Sequence, residues 1–250
     1  MLAPPAGGRA AGIAVRKRFR TRRAEGPADL ARIEALRAAR FRGDAGARDL
    51  DAFDARAIQV MVEEIDTGRL ACCFRLLPVE DLQASYAGQF YGLEPLASYP
   101  GPMAELGRFC VAAGEDDPAV LRLAWGALAA EIEAREIALV FGCASFRGAE
   151  AEAHAEAFAL LRARHLGPSR WAPRVKAPAV FRFARAQAAR GFDLAAGLKA
   201  MPPLLRSYLA LGGWVSDHAV VDRDLGTTHV FTALETRAIP PARLRVLRAG

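Results

Sequence analysis

Strand-like and helix-like segments alternate along this chain, and that alternation limits the possible folds more than any other feature of the sequence. Residues 58–63 and 70–77 have the composition of two strands, with Asp66-Thr67-Gly68 as the hairpin turn between them. Another strand is predicted over residues 103–111. The unbroken apolar run Ile137–Phe141 is typical of a buried central strand. The chain is therefore expected to build a sheet.

Helices are predicted between and after these strands. Pro27 opens one over about residues 27–40, in which Leu30, Ile33, Leu36 and Arg37 recur at helical spacing. Pro118 opens a second, and two more are expected over about 149–164 and 203–211. Strands over 214–221 and 227–234 complete a C-terminal extension that begins at about residue 195. The order predicts an α/β protein with a mixed sheet and helices on both faces.

The length of 250 residues suits one sizeable domain. We expect residues 1–11 to be disordered and residues 12–250 to form one continuous domain. Residues 1–15 lack the charged start and apolar run of a signal peptide. No uncharged apolar stretch approaches the ~18 residues that span a bilayer. The expectation is a cytoplasmic protein, with peripheral contact at the inner face of the membrane left open.

The chain is basic, with a net charge of +6 and a pI of about 9.5. Such a surface suits nucleic acid, an anionic membrane or an acidic protein. No nucleic-acid-binding motif is present, so nucleic acid is not expected as a partner. The densest basic run is Arg16, Lys17, Arg18, Arg20, Arg22 and Arg23. It is read either as the docking site of an acidic carrier protein, with membrane attachment as a variant, or as a solvated first strand.

Neither the cysteines nor the histidines predict a metal site. Cys72, Cys73, Cys110 and Cys143 form no CxxC pair and have apolar neighbours, which is typical of reduced thiols in a protein core. The four histidines do not show the spacing of metal ligands.

Charged residues stand inside segments that should be apolar strands. Arg75 lies within residues 72–78, and Glu105 and Arg108 lie within 103–111. Buried charges are costly unless they are paired, so these residues indicate a polar site. Alternation would put Glu105 and Arg108 on opposite faces, but Gly107 can mark a bulge that turns both to one side. Such a bulge can also release backbone N–H groups that stabilise an oxyanion.

Five motifs occur in a characteristic order. They are Arg40-Phe41, Asp51-x-Phe53-Asp54, Phe74-Arg75-Leu76-Leu77-Pro78, Phe90-Tyr91 and Glu105-Leu106-Gly107-Arg108-x-Cys110-Val111. This order resembles the ornithine-acyl-carrier-protein N-acyltransferases of the GNAT superfamily, and it is similar to the acyl-homoserine-lactone synthases. The segment Phe141-Gly142-Cys143-Ala144-Ser145-Phe146 and the tail from Pro202 to Asp222 look more like the ornithine family.

The resemblance implies a GNAT-type, mostly antiparallel sheet and a specific reaction. A 3-hydroxyacyl chain would pass from acyl carrier protein to the α-amine of ornithine, the first step of ornithine-lipid biosynthesis. Glu105 is the candidate general base, and Arg75 or Arg108 would bind the substrate carboxylate. Asp51 or Asp54 would hold the second ammonium or brace the arginines. Phe90 is assigned to substrate binding.

No separate cofactor is expected, because 4'-phosphopantetheine arrives on the carrier protein. GNAT enzymes usually hold coenzyme A in a basic, glycine-rich loop, whereas residues 112–117 here are acidic, which favours a carrier protein as donor. His229 stands where an acidic residue is expected, and neither it nor His218 is assigned a role. Two alternatives stay open: a lactone synthase or an acyltransferase for glutamine, glycine or lysine, and a non-enzymatic, membrane-active, haemolysin-like protein.

Overall fold

The structure, a computed structural model, describes residues 18–240. Its helices are α1 (Gly26–Phe41), α2 (Pro118–Ala134), α3 (Ala155–Arg164), α4 (Phe183–Ala186), α5 (Leu194–Ala200) and α6 (Pro203–Ala210). Its strands are β1 (Phe19–Arg23), β2 (Ile58–Glu64), β3 (Leu70–Val79), β4 (Tyr91–Gly92), β5 (Met103–Val111), β6 (Leu139–Arg147), β7 (Arg174–Val175), β8 (Val180–Phe181), β9 (Trp214–Asp222) and β10 (Thr227–Glu235).

Eight strands form one sheet in the order β1-β2-β3-β5-β6-β10-β9-β8, and β4 pairs with β7 apart from it. Every pair in the large sheet is antiparallel except β5 and β6, which α2 connects as a parallel crossover. The expected mixed, mostly antiparallel α/β sheet is thereby confirmed.

Helices cover both faces of the sheet because successive side chains of a strand point to opposite sides. On one face, here called the α2 face, Val60 and Phe74 pack in a core with α2 and α6. A second core on this face joins α3, α4 and α6. On the opposite face, the α1 face, Met61 packs against Ile33 of α1. Farther along that face, residues 87–96 pack on Phe141 and Phe231.

The sequence located most elements but misjudged some lengths. The predicted strand Ile137–Phe141 is longer in the structure and runs on to Arg147, because Gly142 ends the apolar run without ending the strand. The helix predicted over 149–164 is helical in α form only from Ala155, after a short 3-10 turn. The predicted disordered segment 1–11 lies outside the described residues.

The pairing of β5 with β6 is unusually short for two nine-residue strands. It covers only Met103–Glu105 against Leu139–Phe141, after which the two strands part. Gly142 lies at the vertex, where a Cβ atom would stand 2.3 Å from the carbonyl oxygen of Leu106. Only glycine lets the two backbones approach this closely before they diverge.

We expect Gly142→Ala to lower the free energy of unfolding by about 1–3 kcal/mol, because the added methyl group meets rigid backbone. Urea denaturation measures the change. Gly191→Ala is the matched control, because its Cβ would have no neighbour within 4 Å. Equal stability of the two variants would contradict the close approach at Gly142.

Candidate active site

A cavity of ≈ 990 Å³ occupies the gap where β5 and β6 diverge. Residues 106–109 line it on the β5 side, and residues 143–147 line it on the β6 side. Side chains from both faces of the sheet border it. The α1 face contributes Arg75, Tyr86, Glu105, Arg108 and His229, and the α2 face contributes Phe146, Met201, Leu204, Leu205 and Tyr208. The cavity therefore passes through the sheet from a charged end to an apolar end.

A bulge in β5 brings its two charged residues to the same end of this cavity. Arg75 of β3 pairs with Gly107, whereas Cys73, two residues earlier, pairs with Cys110, so β5 carries one extra residue. Arg108 lies within this bulge, and its backbone is in the left-handed region, with φ of 51°. The bulge expected at Gly107 is present, and it lets Arg108 line the cavity together with Glu105.

Three arginines and three aspartates form a buried ion network beside the charged end. Arg37 of α1 donates from Nε to Oδ2 of Asp49 at 2.8 Å and from Nη1 to Oδ1 of Asp54 at 2.7 Å. Arg75 donates from Nη1 to Oδ1 of Asp51 at 2.5 Å and to Oδ1 of Asp54 at 2.9 Å. Arg108 donates from Nε to Oδ2 of Asp49 at 3.1 Å. The network ties α1 and residues 49–54 to β3 and β5.

The three arginines of this network match its three aspartates in charge, and one effect is a lowered pKa of Asp54. Burial by itself would raise the pKa of Asp54, but hydrogen bonds from Arg37 and from the amide of Asp51 outweigh it and hold the pKa below its usual range. Asp54 also accepts from the side-chain amide of Gln59. Asp54 therefore has a bracing role, which was one of the two expected for the aspartates.

Asp51 and Arg108 keep more capacity for a ligand than Asp54 and Arg37. The Asp51 side chain is 25% exposed, its Oδ2 accepts no hydrogen bond within the described residues, and Nη2 of Arg108 lies 3.6 Å from that oxygen. The Arg108 guanidinium also lies over the Tyr86 ring at 5.1 Å. Arg108 lines the cavity and can bind a carboxylate. Asp51 does not line it, but its unused oxygen next to Arg108 can accept a hydrogen bond from an ammonium.

Glu105 is buried and held by the backbone. Its two carboxylate oxygens accept hydrogen bonds from the amides of Tyr86 and Ala87, each at 2.7 Å. Burial raises the pKa of Glu105, and the two amide hydrogen bonds oppose that rise. A fixed carboxylate with a raised pKa that lines a cavity has the properties of a proton acceptor.

His229 of β10 presents a second proton acceptor to the cavity. The Tyr91 hydroxyl donates its single proton to the backbone oxygen of His229 at 2.8 Å. That hydroxyl also lies 3.2 Å from Nδ1 of His229, where it can only accept, so Nδ1 carries the proton. Nε2 is buried, has no partner among the described residues and bears the lone pair. Burial lowers the pKa of His229 to about 4, which keeps the ring neutral.

The sequence predicted some residues of the site correctly and missed others. Arg75, Glu105 and Arg108 line the cavity, as the charged positions in predicted strands indicated. Phe90 does not line it; its ring packs edge-on against His229 at 5.0 Å and beside Tyr86 at 5.3 Å. Arg37 was missed as a partner of the aspartates, although an arginine at an apolar helix position was the available signal.

The basic run lies on the edge strand β1, away from the cavity. Arg16 and Lys17 are outside the described residues. Arg18 pairs with Glu64 and Asp117, Arg20 and Arg22 with Glu63, Arg22 also with Asp29, and Arg23 with Glu131. The side chains of Arg18, Arg20 and Arg23 are still more than half exposed. Carrier docking at this run stays a prediction, and the pairs are those expected of a strand anchored by its arginines.

The acidic loop before α2 is partly neutralised by basic neighbours. Glu115 pairs with Arg69 at 2.5 Å, and Asp117 caps α2 by accepting from the amide of Ala119 at 2.9 Å. An aspartate thus already occupies the helix start, where a phosphate of coenzyme A would otherwise meet free amides.

The cysteines are free thiols, and burial raises the pKa values of Cys72 and Cys143 well above their usual range. Within residues 18–240, no cluster of histidine, cysteine and acidic residues is arranged to hold a metal ion. Among the helices of the same range, none combines the length and apolarity that a bilayer crossing requires.

Comparison with known proteins agrees with this architecture. Residues 34–126 match the acetyltransferase (GNAT) domain family. Over 181 residues the chain is 36% identical to the L-ornithine N(alpha)-acyltransferase of Rhodobacter capsulatus, covering 70% of this chain and 68% of that relative. It is 31% identical over 203 residues to the protein of the same name from Agrobacterium fabrum, covering 77% of this chain and 69% of the relative.

One solved structure shares the fold over most of its length. It is FeeM, an N-acyl amino acid synthase from uncultured soil microbes, with a TM-score of 0.52 and 11% identity, covering 88% of this chain and 93% of that chain. At this identity the likeness concerns the fold alone.

The ion network generates a stability prediction. Arg37→Leu should lower the free energy of unfolding by about 3–5 kcal/mol, because Asp49 stays buried without its main partner. The comparison variant is Arg32→Leu on the same helix, whose partly exposed pairs with Asp29 and Glu63 should contribute about 0–1 kcal/mol. Thermal and urea denaturation measure both. Similar losses in the two variants would refute the central role of Arg37.

Proposed function

The chain belongs to the family of L-ornithine N(alpha)-acyltransferases, and on this premise we propose that it transfers a (3-hydroxy)acyl chain from a carrier-protein thioester to the α-amine of ornithine. The observation that carries the proposal is the cavity between β5 and β6, which is charged at one end and apolar at the other. An acyl chain fits the apolar end, a zwitterionic amino acid fits the charged end, and the reacting carbonyl would lie between them.

The reaction requires a neutral amine, because an ammonium has no lone pair with which to attack. The α-nitrogen forms a bond to the thioester carbon, the C–S bond breaks, and the amine gives up a proton. Glu105 is assigned to that proton, directly or through a water, since it is fixed, buried and faces the cavity. His229 Nε2 is a second acceptor on the same cavity.

The departing thiolate requires a proton in turn. Tyr208 lines the cavity, and burial followed by the charge of Glu105 raises the pKa of its hydroxyl, which therefore holds its proton at neutral pH. We assign to Tyr208 a hydrogen bond from its hydroxyl to the leaving sulfur. The proton that the amine gives to Glu105 finally passes to the thiolate, so both residues return to their starting forms. The backbone of residues 106–109, which has no strand partner on the cavity side, supplies the polar surroundings of the carbonyl.

The ions at the charged end favour an amino acid with two ammonium groups. Arg108 is assigned to the substrate carboxylate, with Arg75 beside it, and Asp51 to the distal ammonium of ornithine. A carboxylate near the distal group would keep it charged and unreactive. The α-amine, with a reference pKa of ~8 against ~10.4 for a lysine-type amine, is then the easier nucleophile.

A test of the function uses purified protein, ornithine and the same acyl chain on acyl carrier protein or on coenzyme A. We expect N-acylornithine by mass spectrometry, and a higher kcat/KM with the carrier protein, because Glu115 and Asp117 disfavour the additional phosphates of coenzyme A. Equal kcat/KM for both donors would contradict the donor assignment.

The same assay distinguishes the alternatives. Glutamine, glycine and lysine replace ornithine in parallel reactions, and preferential acylation of one of them would move the assignment within the acyltransferases. A lactone product would indicate synthase-like chemistry. Absence of any acylated product with all four amino acids would overturn the proposed function.

Glu105→Gln should lower kcat per folded molecule by about 10²–10⁴-fold, because the amide cannot accept the proton from the amine. The rate of the variant should recover partly at high pH, where unprotonated amine is abundant. His229→Gln is the comparison variant, since it removes the other acceptor and leaves Glu105 intact. A near-normal rate for Glu105→Gln with a large loss for His229→Gln would transfer the role to His229.

A further inference from the structure

Three large apolar side chains are exposed together in and just before α5. The exposed fractions are 37% for Phe192, 52% for Leu194 and 40% for Leu198. Leu194 and Leu198 are four residues apart in the helix and so share one side of it. Gly197 seats an adjacent side of the helix on α3, where a Cβ atom would lie only 2.8 Å from Cβ of Leu160. The apolar side of α5 therefore points away from the protein.

Basic residues surround this apolar side. Residues 182–206 contain five basic residues (Arg182, Arg185, Arg190, Lys199 and Arg206) and one acidic residue, Asp193. Arg164 of α3 lies over the Phe192 ring at 5.1 Å, and Nη1 of Arg206 donates to the backbone oxygen of Leu198 at 3.1 Å. Within residues 18–240, Arg164, Lys199 and Arg206 form no ion pair.

This surface adjoins the apolar end of the cavity. The chain leaves α5 at Ala200 and continues directly into residues 200–205, all of which line the cavity. Met201, Leu204 and Leu205 are thus separated from the exposed side of α5 by a few residues of continuous chain. A ligand bound to the exposed side of α5 would therefore lie next to the apolar end of the cavity, where an acyl chain would bind.

We propose that Phe192, Leu194 and Leu198, with Arg164, Lys199 and Arg206, form a surface that binds an anionic phospholipid bilayer. Leucine and phenylalanine on one side of a helix, next to lysine and arginine, are the composition of segments that lie in the interface of a membrane. The cations attract anionic headgroups. A bilayer supplies both requirements on one surface, with hydrocarbon for the three apolar side chains and anionic headgroups for the cations.

A consequence, which rests on the proposed function, concerns the product. An N-acyl amino acid has one hydrocarbon chain and a charged head, so it partitions into a bilayer. Release beside α5 would deliver it there without passage through water. The binding surface itself does not depend on the reaction, so vesicle binding and acyl transfer can fail separately.

The test measures binding of the full chain to vesicles by co-sedimentation. Vesicles are either phosphatidylcholine alone or phosphatidylcholine with about 30% phosphatidylglycerol. We expect the wild-type protein to prefer the anionic vesicles. The triple variant Phe192→Ser, Leu194→Ser, Leu198→Ser should bind them at least about tenfold more weakly. Its rate of acyl transfer in vesicle-free solution should be that of the wild type.

Two matched controls define the surface. Ile65→Ser with Leu121→Ser removes apolar side chains of similar exposure, 38% and 37%, from elsewhere on the protein and should leave binding unchanged. Arg164→Gln, Lys199→Gln, Arg206→Gln should weaken anionic binding and its salt dependence, whereas Arg18→Gln, Arg20→Gln, Arg23→Gln on β1 should not.

Several results would overturn the proposal. These are a wild-type protein that does not bind anionic vesicles, binding that the α5 variants retain, and binding that only the β1 variant loses. Sedimentation velocity addresses the alternative of a second copy: a wild-type dimer that becomes monomeric in the serine variant, without loss of vesicle binding, would assign α5 to self-association.

Discussion

Neighbouring strands that part inside a sheet give up their ladder hydrogen bonds, and here β5 and β6 part at the centre of the sheet after three paired residues. Each strand keeps its partner on the other side, β3 for β5 and β10 for β6, so the cleft does not break the sheet in two. The remaining features follow from this constraint. Gly142 permits the close approach before the cleft, the bulge at Arg108 turns charge toward it, and residues of α6 line its apolar end.

A cleft with charged walls in the middle of a sheet must solve the problem of buried charge. In the network, the positive charges of Arg37, Arg75 and Arg108 compensate the negative charges of three aspartates. The carboxylate of Glu105 is instead stabilised by hydrogen bonds from the backbone amides of residues 86 and 87. Because neutralisation is local, the ions can be held rigidly before a substrate arrives. Asp51 is the member with unused capacity, and it is also the most exposed of the three aspartates. A small zwitterion can be recognised selectively where most of the ions are held in place and one carboxylate still has an unused oxygen.

Much of this arrangement could be predicted from the sequence, because charge inside an apolar strand is a strong signal. Glu105, Arg75 and Arg108 were found in that way, and Gly107 indicated the bulge. Asp51 and Asp54 were expected beside the arginines, and both pair with Arg75. Arg37 and Asp49 could not be derived, since they reach the network through tertiary packing of α1 and the following loop. His229 was noted in place of an expected acidic residue, but its role could not be derived, because its tautomer depends on Tyr91, which is distant in sequence. The extension of β6 past Gly142 was missed because pairing with β10, and not local composition, maintains it.

The position of β10 has a consequence for how the chain reaches its fold during synthesis. β6 is made well before β10, and until β10 emerges it has only a three-residue pairing with β5. The wall of the cleft on the β6 side is therefore an open strand edge in the nascent chain, and such edges are sites of misassociation. Long-range pairings of this kind also slow folding, because the entropy of closing the intervening chain is lost before the new contacts offset it. The cleft therefore gains its second paired wall only when this later segment has been made.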